Sequence, residues 1–299
     1  VNLTGLNITV AGTGTAAGTT ASTNAGSYAI SGSGGSASGF IISYGTTPAN
    51  LTVNPLAVTL TGTQAYNGGT SIAAANLTAS NKVGSDNIGL SGSASVASAN
   101  VSVGAQTLNL SGLSLSNSNY TLTGGSGTAT ITPLAVTLTG SRSYDGGTTA
   151  AAANLTASNK VGTDNIGLSG SGAVASANVS AGMQVLTLSG LSLSNSNYTL
   201  TGASGSFTIN PVAVSLTGTK VYDGGTGVAA SGLTLTNGVA GATAASIGLS
   251  GSGSVASANV SVGAQTLNTS GLSVTDGNYT VTGGSGTVTI TPLAVTLTG

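Results

Sequence analysis

A 78-residue period constrains this chain more than any other feature. "PLAVTLTG" occurs at 55–62, 133–140 and 292–299, with "PVAVSLTG" at 211–218. Tyr66, Tyr144 and Tyr222 stand 78 residues apart, and Tyr120, Tyr198 and Tyr279 follow at 78 and 81. "IGLSGS" recurs at 88–93, 166–171 and 247–252, so the three extra residues of the last unit fall between Tyr222 and Ile247. "AAANLTASNKVG" is identical at 73–84 and 151–162, as is "SGLSLSNSNYTLTG" at 111–124 and 189–202. A fold written three times must close once per period. The expected modules are 55–132, 133–210 and 211–291. Residues 292–299 open a further repeat, and 1–54 close a related but different one. The whole is expected to be a window from a longer array.

The local pattern is that of strands. In 134–140, Leu134, Val136 and Leu138 alternate with Ala135, Thr137 and Thr139, the period of a half-buried strand. "QVLTLSGLSLS" (184–194), "NYTLTG" (197–202) and "SFTIN" (206–210) continue it, with Gly-rich turns expected between them. The Ala-rich stretch 149–160 has no capping signal or apolar stripe and supports no more than a short turn. The fold class expected is all-β: tandem small immunoglobulin-like β-sandwich modules forming an extended rod. A core of this size supplies about 3–5 kcal/mol alone, to which neighbouring modules add. Pro133 sits where one module runs directly into the next. It lacks an N–H, so one ladder ends before another begins.

Composition removes most chemistry. Charged residues make up 3% of the chain, against about 25% in ordinary soluble domains. There is no Glu, His, Trp or Cys. Disulfides and thiolate sites are therefore excluded, and the usual triads, zinc sites and paired-carboxylate sites are missing or incomplete. No catalytic, cofactor or metal residues are expected, and the chain is not expected to be an enzyme. A net charge of −1 gives no electrostatic case for nucleic acid. No apolar run approaches the ~20 residues of a membrane helix, and no membrane insertion is expected.

The few charges face a test inside the sequence. The hexapeptide is "AYNGGT" at 65–70, "SYDGGT" at 143–148 and "VYDGGT" at 221–226. A carboxylate serving as base, nucleophile or calcium ligand would not tolerate Asn67 in place of Asp145 and Asp223. An Asx turn would, with glycines supplying positive φ. The expected turn motif is Tyr66, Asn67 and Gly68, then Tyr144, Asp145 and Gly146, then Tyr222, Asp223 and Gly224. Tyr120, Tyr198 and Tyr279 are expected to be structural, with Asn117, Asn195 and Asp276 in a tyrosine-corner-like approach. Lys82–Asp86 and Lys160–Asp164 read as exposed ion pairs rather than crosslinks, because repeat 3 has neither partner. Gln64, Arg142 and Lys220 share one position and read as solvent-facing stems.

The order YDG, then "NYTL", then "TITP" closely resembles the YDG repeat of large bacterial adhesins. Residues 25–55 resemble the related MBG repeat. The resemblance implies filamentous-haemagglutinin-like exoproteins exported by two-partner secretion, with an outer-membrane secretion partner and an extracellular or cell-surface location. It implies a stalk or fibre segment of an adhesin or biofilm-matrix filament, whose partners are neighbouring repeats and other copies of the chain. The alternatives are a self-associating filament subunit, and a glycan- or ice-binding surface built on outward pairs such as Thr59/Thr61, Thr137/Thr139 and Thr296/Thr298. Thirteen Asn-x-Ser/Thr sequons leave glycosylation open.

Overall fold

The computed structural model describes residues 7–10, 24–33, 38, 40–43 and 49–297. The chain forms two compact units, Val1–Leu134 and Ala135–Gly299. Strands dominate both, joined by turns and three-residue 3-10 helices; the described residues include no α-helix. The architecture is a series of small β-sandwich-like modules. In the first unit a three-stranded antiparallel sheet (Asn7–Val10, Gly26–Ser33, Ala49–Val53) precedes repeat 1.

Each repeat folds into two sheets. In repeat 1 the four-stranded sheet runs Leu77–Ala79, Leu56–Ala65, Tyr120–Thr132, Ala105–Thr107, and the three-stranded sheet runs Ser71–Ala73, Leu90–Ser95, Leu113–Leu115. Repeats 2 and 3 keep the same two strand orders. The core lies between the sheets. In repeat 3 it gathers Val214, Leu216, Leu233, Val288 and Ile290 from the larger sheet with Val228 and Leu272 from the smaller. The alternation read from sequence is the one that buries: Val136 and Leu138 are inside, while Thr139 faces out. The Ala-rich stretch becomes the strand Thr149–Ala151, one 3-10 turn at Ala152–Asn154 and the strand Leu155–Ala157.

The first and last strands of a module pair in parallel. In repeat 1, Leu56 lies beside Tyr120 and Ala65 beside Thr132. In repeat 3, Val212 lies beside Tyr279 and Val221 beside Thr291. The chain therefore enters a module at one end of this ladder and leaves at the other. Nine residues of strand separate the two, a span of about 30 Å. The next strand follows at once: Tyr198–Asn210 gives way, across Pro211 alone, to Val212–Val221.

One sequence expectation changes. "NYTLTG" and "SFTIN" are not two strands with a turn between them but one strand, Tyr198–Asn210. In repeat 1 the equivalent stretch 122–125 bulges out against a single partner residue, Val58, between the Thr121–Ala57 and Ser126–Thr59 pairs. Gly124, at φ +71°, supplies the left-handed backbone that a bulge needs. The ladder resumes beyond it, so the glycines bend the strand without ending it.

The cores of the three repeats also trade volume. Ile72, Ala150 and Val228 are equivalent and buried, as are Ala129, Phe207 and Val288. The large residue of repeat 2, Phe207, accompanies the small Ala150. In repeat 1 the order is reversed. The cross-strand partners follow suit: Ala94 faces Ile72, while Gly172 faces Ala150 and Gly253 faces Val228. Phe207→Ala alone should cost about 3–5 kcal/mol by opening a cavity. Adding Ala150→Ile should recover a measurable part of that loss, although Ala150→Ile alone should destabilise by about 1–3 kcal/mol through overpacking. A double-mutant cycle in urea reads the coupling; additive effects would contradict shared volume.

Candidate functional site

The site is built at the two ends of each module, where the recurring tyrosines sit. At the outgoing end, the backbone N–H of the YDG tyrosine closes the ladder. Tyr66 donates to Thr132 O, Tyr144 to Asn210 O and Tyr222 to Thr291 O, each at 2.8 Å. The next residue forms an Asx turn. Asn67 Oδ1 accepts the Gly69 N–H at 2.9 Å, and Asp145 and Asp223 accept those of Gly147 and Gly225 at 2.8 Å. Asn and Asp serve this bond equally because both present the same acceptor oxygen.

The residue expected to face solvent is folded over this turn instead. Arg142 pairs with Asp145 and donates to the carbonyls of Ser143, Gly147 and Thr149. Lys220 Nζ reaches Asp223 Oδ1 and Gly225 O, both at 2.8 Å. The side chains of Arg142 and Lys220 are only 9% and 15% exposed. In repeat 1, Gln64 donates to Ser71 O at 3.0 Å, the counterpart of the Thr149 carbonyl that Arg142 reaches, without charge. The turn leaves several carbonyls pointing one way, and a long donor three residues upstream satisfies them. The Lys220 hydrogen bond, followed by the Gly225 N–H, holds the Asp223 carboxyl below its usual range.

At the incoming end stands the second tyrosine. Its hydroxyl accepts a backbone N–H from a valine: Val83 to Tyr120 at 2.8 Å, Val161 to Tyr198 and Val239 to Tyr279 at 2.9 Å. In repeats 1 and 2 the same hydroxyl donates to Asp86 (2.8 Å) and Asp164 (2.9 Å). The aspartates thus serve the tyrosines. The expected Lys82–Asp86 ion pair is not among the ion pairs of the described residues, because Asp86 is turned to Tyr120. Burial, and then the neighbouring carboxylate, push the Tyr120 and Tyr198 hydroxyls above their usual range, against the lowering effect of the valine N–H. Asn117, Asn195 and Asp276 accept the N–H two residues on, at Asn119, Asn197 and Asn278.

In each unit an incoming end meets the segment before it, and in the second unit that segment is an outgoing YDG end. In the second unit, the rings of Tyr144 and Tyr279 pack edge to face with centroids 5.9 Å apart. Tyr144 also packs against the core of repeat 3. Gly146, at φ +79°, lies so near Val239 that a Cβ there would sit 3.3 Å from its Cγ1. Asn278 Oδ1 accepts the Val179 N–H at 2.9 Å, and its Nδ2 donates to Asn178 Oδ1 at 3.4 Å. In the first unit, Asn119 treats Asn24 and Ala25 alike: Oδ1 accepts the Ala25 N–H at 2.8 Å and Nδ2 donates to Asn24 Oδ1 at 2.9 Å. One asparagine grips a backbone N–H and an asparagine side chain of the module before it. Sequence reasoning missed this role. The available signal was that Asn119, Asn197 and Asn278 recur with the tyrosines they precede.

Two further neutral pins recur. Asn81, Asn159 and Asn237 each bond the first strand twice, as in Thr59 N–H to Asn81 Oδ1 and Asn81 Nδ2 to Ala57 O, both 2.8 Å. Gln106, Gln184 and Gln265 each clasp the N–H and C=O of one serine, at 2.7–2.8 Å. Open recesses in repeats 1 and 2 are lined by Lys82, Asp86 and Ile88, and by Lys160, Asp164 and Ile166. The aspartates there are already bonded to tyrosines. Among the described residues no three acidic side chains come together as a metal site would require, and no helix is long and apolar enough to cross a membrane.

In the second unit the facing ends of repeats 2 and 3 fit one another. The YDG domain matches three times in tandem, at residues 47–130, 127–205 and 208–290. The chain belongs to the YDG domain family. No curated protein and no solved structure gave a match. Within the YDG modules, the residues of the family's name form the turn at the outgoing end. In the second unit they form half of the joint.

Two pH effects follow. Asp223→Asn keeps the Gly225 bond and loses the charge pair. The lowered carboxyl contributes stability above the ordinary value of about 3.9, lost as pH falls through its lower folded value. The parent chain should therefore melt higher than this variant at neutral pH and equally in strong acid; a difference persisting in acid would contradict the assignment. The raised Tyr120 hydroxyl has the opposite sign. Its unfolded form ionises first, so stability should fall as pH rises past about 10. Tyr120→Phe should blunt that fall in an alkaline unfolding series.

Proposed function

We propose that this chain is a stalk or fibre segment of a secreted bacterial adhesin or biofilm-matrix filament, held outside the cell and acting through length and stiffness rather than catalysis. The observation that carries this reading is the parallel pairing of first and last strands, which sets the incoming and outgoing ends of a YDG module about 30 Å apart. A module of this kind suits a series in which each unit carries the chain forward. The absence of spacers supports it, since Pro211 alone separates consecutive strands. The low charge leaves little for pH, salt or trypsin-like proteases to act on, with Lys and Arg numbering 4 in all. Export through an outer-membrane secretion partner belongs to the same reading.

The test is dimensional. Electron micrographs and small-angle scattering of the chain, and of versions with one repeat deleted or duplicated, should give a contour length that changes by about 30 Å or slightly more per module. A compact particle whose largest dimension ignores module number would overturn the proposal.

A second reading has one specific observation behind it. Repeats 1 and 3 each carry an exposed rank of four threonines across the larger sheet: Thr78, Thr61, Thr128 and Thr107, then Thr234, Thr217, Thr287 and Thr266. Strand spacing sets their backbones about 4.8 Å apart. Such a row of hydroxyls and methyls suits a glycan or an ice surface. Repeat 2 breaks the pattern, with Ser206 opposite Val185. Glycan-array binding, or thermal hysteresis lost on Thr61→Lys and Thr217→Lys, would favour this reading over a passive stalk.

A further inference from the structure

We propose that the paired first and last strands of a YDG module act as a mechanical clamp, holding against tension along the chain more strongly than against a force that peels the same strands apart. The inference rests on the stalk reading and names the element through which such a segment carries a pull. The direction of loading follows from the ladder. In repeat 3, Val212 lies beside Tyr279 at the incoming end and Val221 beside Thr291 at the outgoing end. A pull on the flanking chain draws Val212 one way and Thr291 the other, parallel to the strands. The two strands must then slide past each other, and all the cross-strand bonds resist at once. The chain between Val221 and Tyr279 lies outside this path until the ladder fails.

Several contacts oppose sliding. In repeat 1 an unbroken run of partners extends from Thr59–Ser126 to Ala65–Thr132, and in repeat 3 from Ser215–Ser285 to Val221–Thr291. Neither strand is an edge: in repeat 3, Leu233–Leu235 lies outside one and Ala264–Thr266 outside the other. Val214, Leu216, Val288 and Ile290 are buried and close one face of the ladder to water. Both ends are fastened where the pull enters and leaves. Val212 N–H donates to Asn278 O at 2.9 Å, and Tyr222 N–H to Thr291 O at 2.8 Å. At the exit a side chain also crosses the ladder: Thr291 Oγ1 donates to Lys220 O at 3.3 Å, as Thr132 Oγ1 does to Gln64 O at 3.4 Å. Asn237 grips the entering strand from its other side, at Ala213 and Ser215.

The chain has no cysteine, so introduced thiols can carry the handles of an optical trap. Pro211→Cys with Pro292→Cys pulls repeat 3 along its ladder. Pro211→Cys with Gly277→Cys pulls two points at the same end, so the ladder opens one pair at a time. Gly277 is exposed, with open space where a side chain would stand. The force at which a fold gives way reports its unfolding rate in that direction rather than its equilibrium stability. The first pair of handles should therefore need a several-fold higher rupture force than the second at the same loading rate. Equal forces, or a higher force on peeling, would overturn the clamp. The unsubstituted chain, held by its two termini, gives an independent reading. Each YDG module should let go in a single step of about 240 Å, the extended length of about 80 residues less their folded span. Release in a series of smaller steps would mean that another part of the module outlasts the ladder, and would overturn the clamp too. Either failure would leave the contour-length test of the stalk reading standing. A compact particle in that test would leave the difference between the two pulling directions intact.

Discussion

The parallel ladder between first and last strands is the constraint from which the rest of a YDG module follows. Parallel neighbours cannot be joined by a hairpin; they need a long crossover. Here the crossover is not a helix but the five short strands between them, which fold back to make the second sheet and both edges of the first. An antiparallel pair would have returned the chain to its starting end. The parallel pair instead leaves Thr291 beside Val221 and Tyr279 beside Val212. The two tyrosine motifs therefore mark opposite ends of one ladder. The change of ladder between modules is equally local. Pro211 donates nothing, and Val212 N–H takes up Asn278 O at 2.9 Å, as Leu56 takes Asn119 O at 2.8 Å.

A chain with 4 basic and 5 acidic residues must satisfy its loop backbone by other means. Primary amides do this here. An Asn or Gln side chain carries a donor and an acceptor in the geometry of a peptide group, so it can stand in for a missing strand partner. Gln106 and Gln265 are buried and fully engaged in this way. No buried side-chain polar atom of the described residues lacks a partner. The Arg142–Asp145 and Lys220–Asp223 ion pairs brace YDG turns, and repeat 1 has Gln64 and Asn67 at these positions. At the YDG turn, charge is thus an option rather than a requirement. At the joints the same amides are committed: Nδ2 of Asn119 and of Asn278 each donate to a neighbouring asparagine, so a glycan at either sequon would compete with the contact.

Much of this is legible in the sequence. The period, the strand alternation at Val136 and Leu138, and the turn at Asp145 all rest on local rules, and local rules act within a few residues. What escaped has a common physical cause. Periodicity says which face of a strand is buried but not which strand lies beside it, so the parallel pair was invisible. A glycine in a bulge and a glycine in a turn look alike in sequence, so the local pattern does not show that the strand passes through Gly202 to Asn210. Lys82 and Asp86, four residues apart, suggested each other. The true partner of Asp86 is Tyr120, 34 residues on and brought close only by the fold. Arg142 reads as a stem in water because nothing local reveals that three carbonyls converge on it.

The three repeats differ in instructive places. At the ends they hold to tyrosine, asparagine and proline, residues whose contacts are directional: an edge-to-face ring, a two-point amide bond, a missing donor. Inside they vary in size: the repeat with the large Phe207 has the small Ala150, and the repeat with the small Ala129 has the full-sized Ile72, all four buried. A core answers mainly to volume, and volume can be redistributed within one module without consulting the next. A joint has no such freedom, because its two halves lie in different modules and both must fit at once. In the second unit Gly146 shows the limit: its backbone is left-handed and Val239 of the following module occupies the space where a side chain would go. In the second unit, then, a core could change within its own module, while a change at the joint would have to be matched in the next.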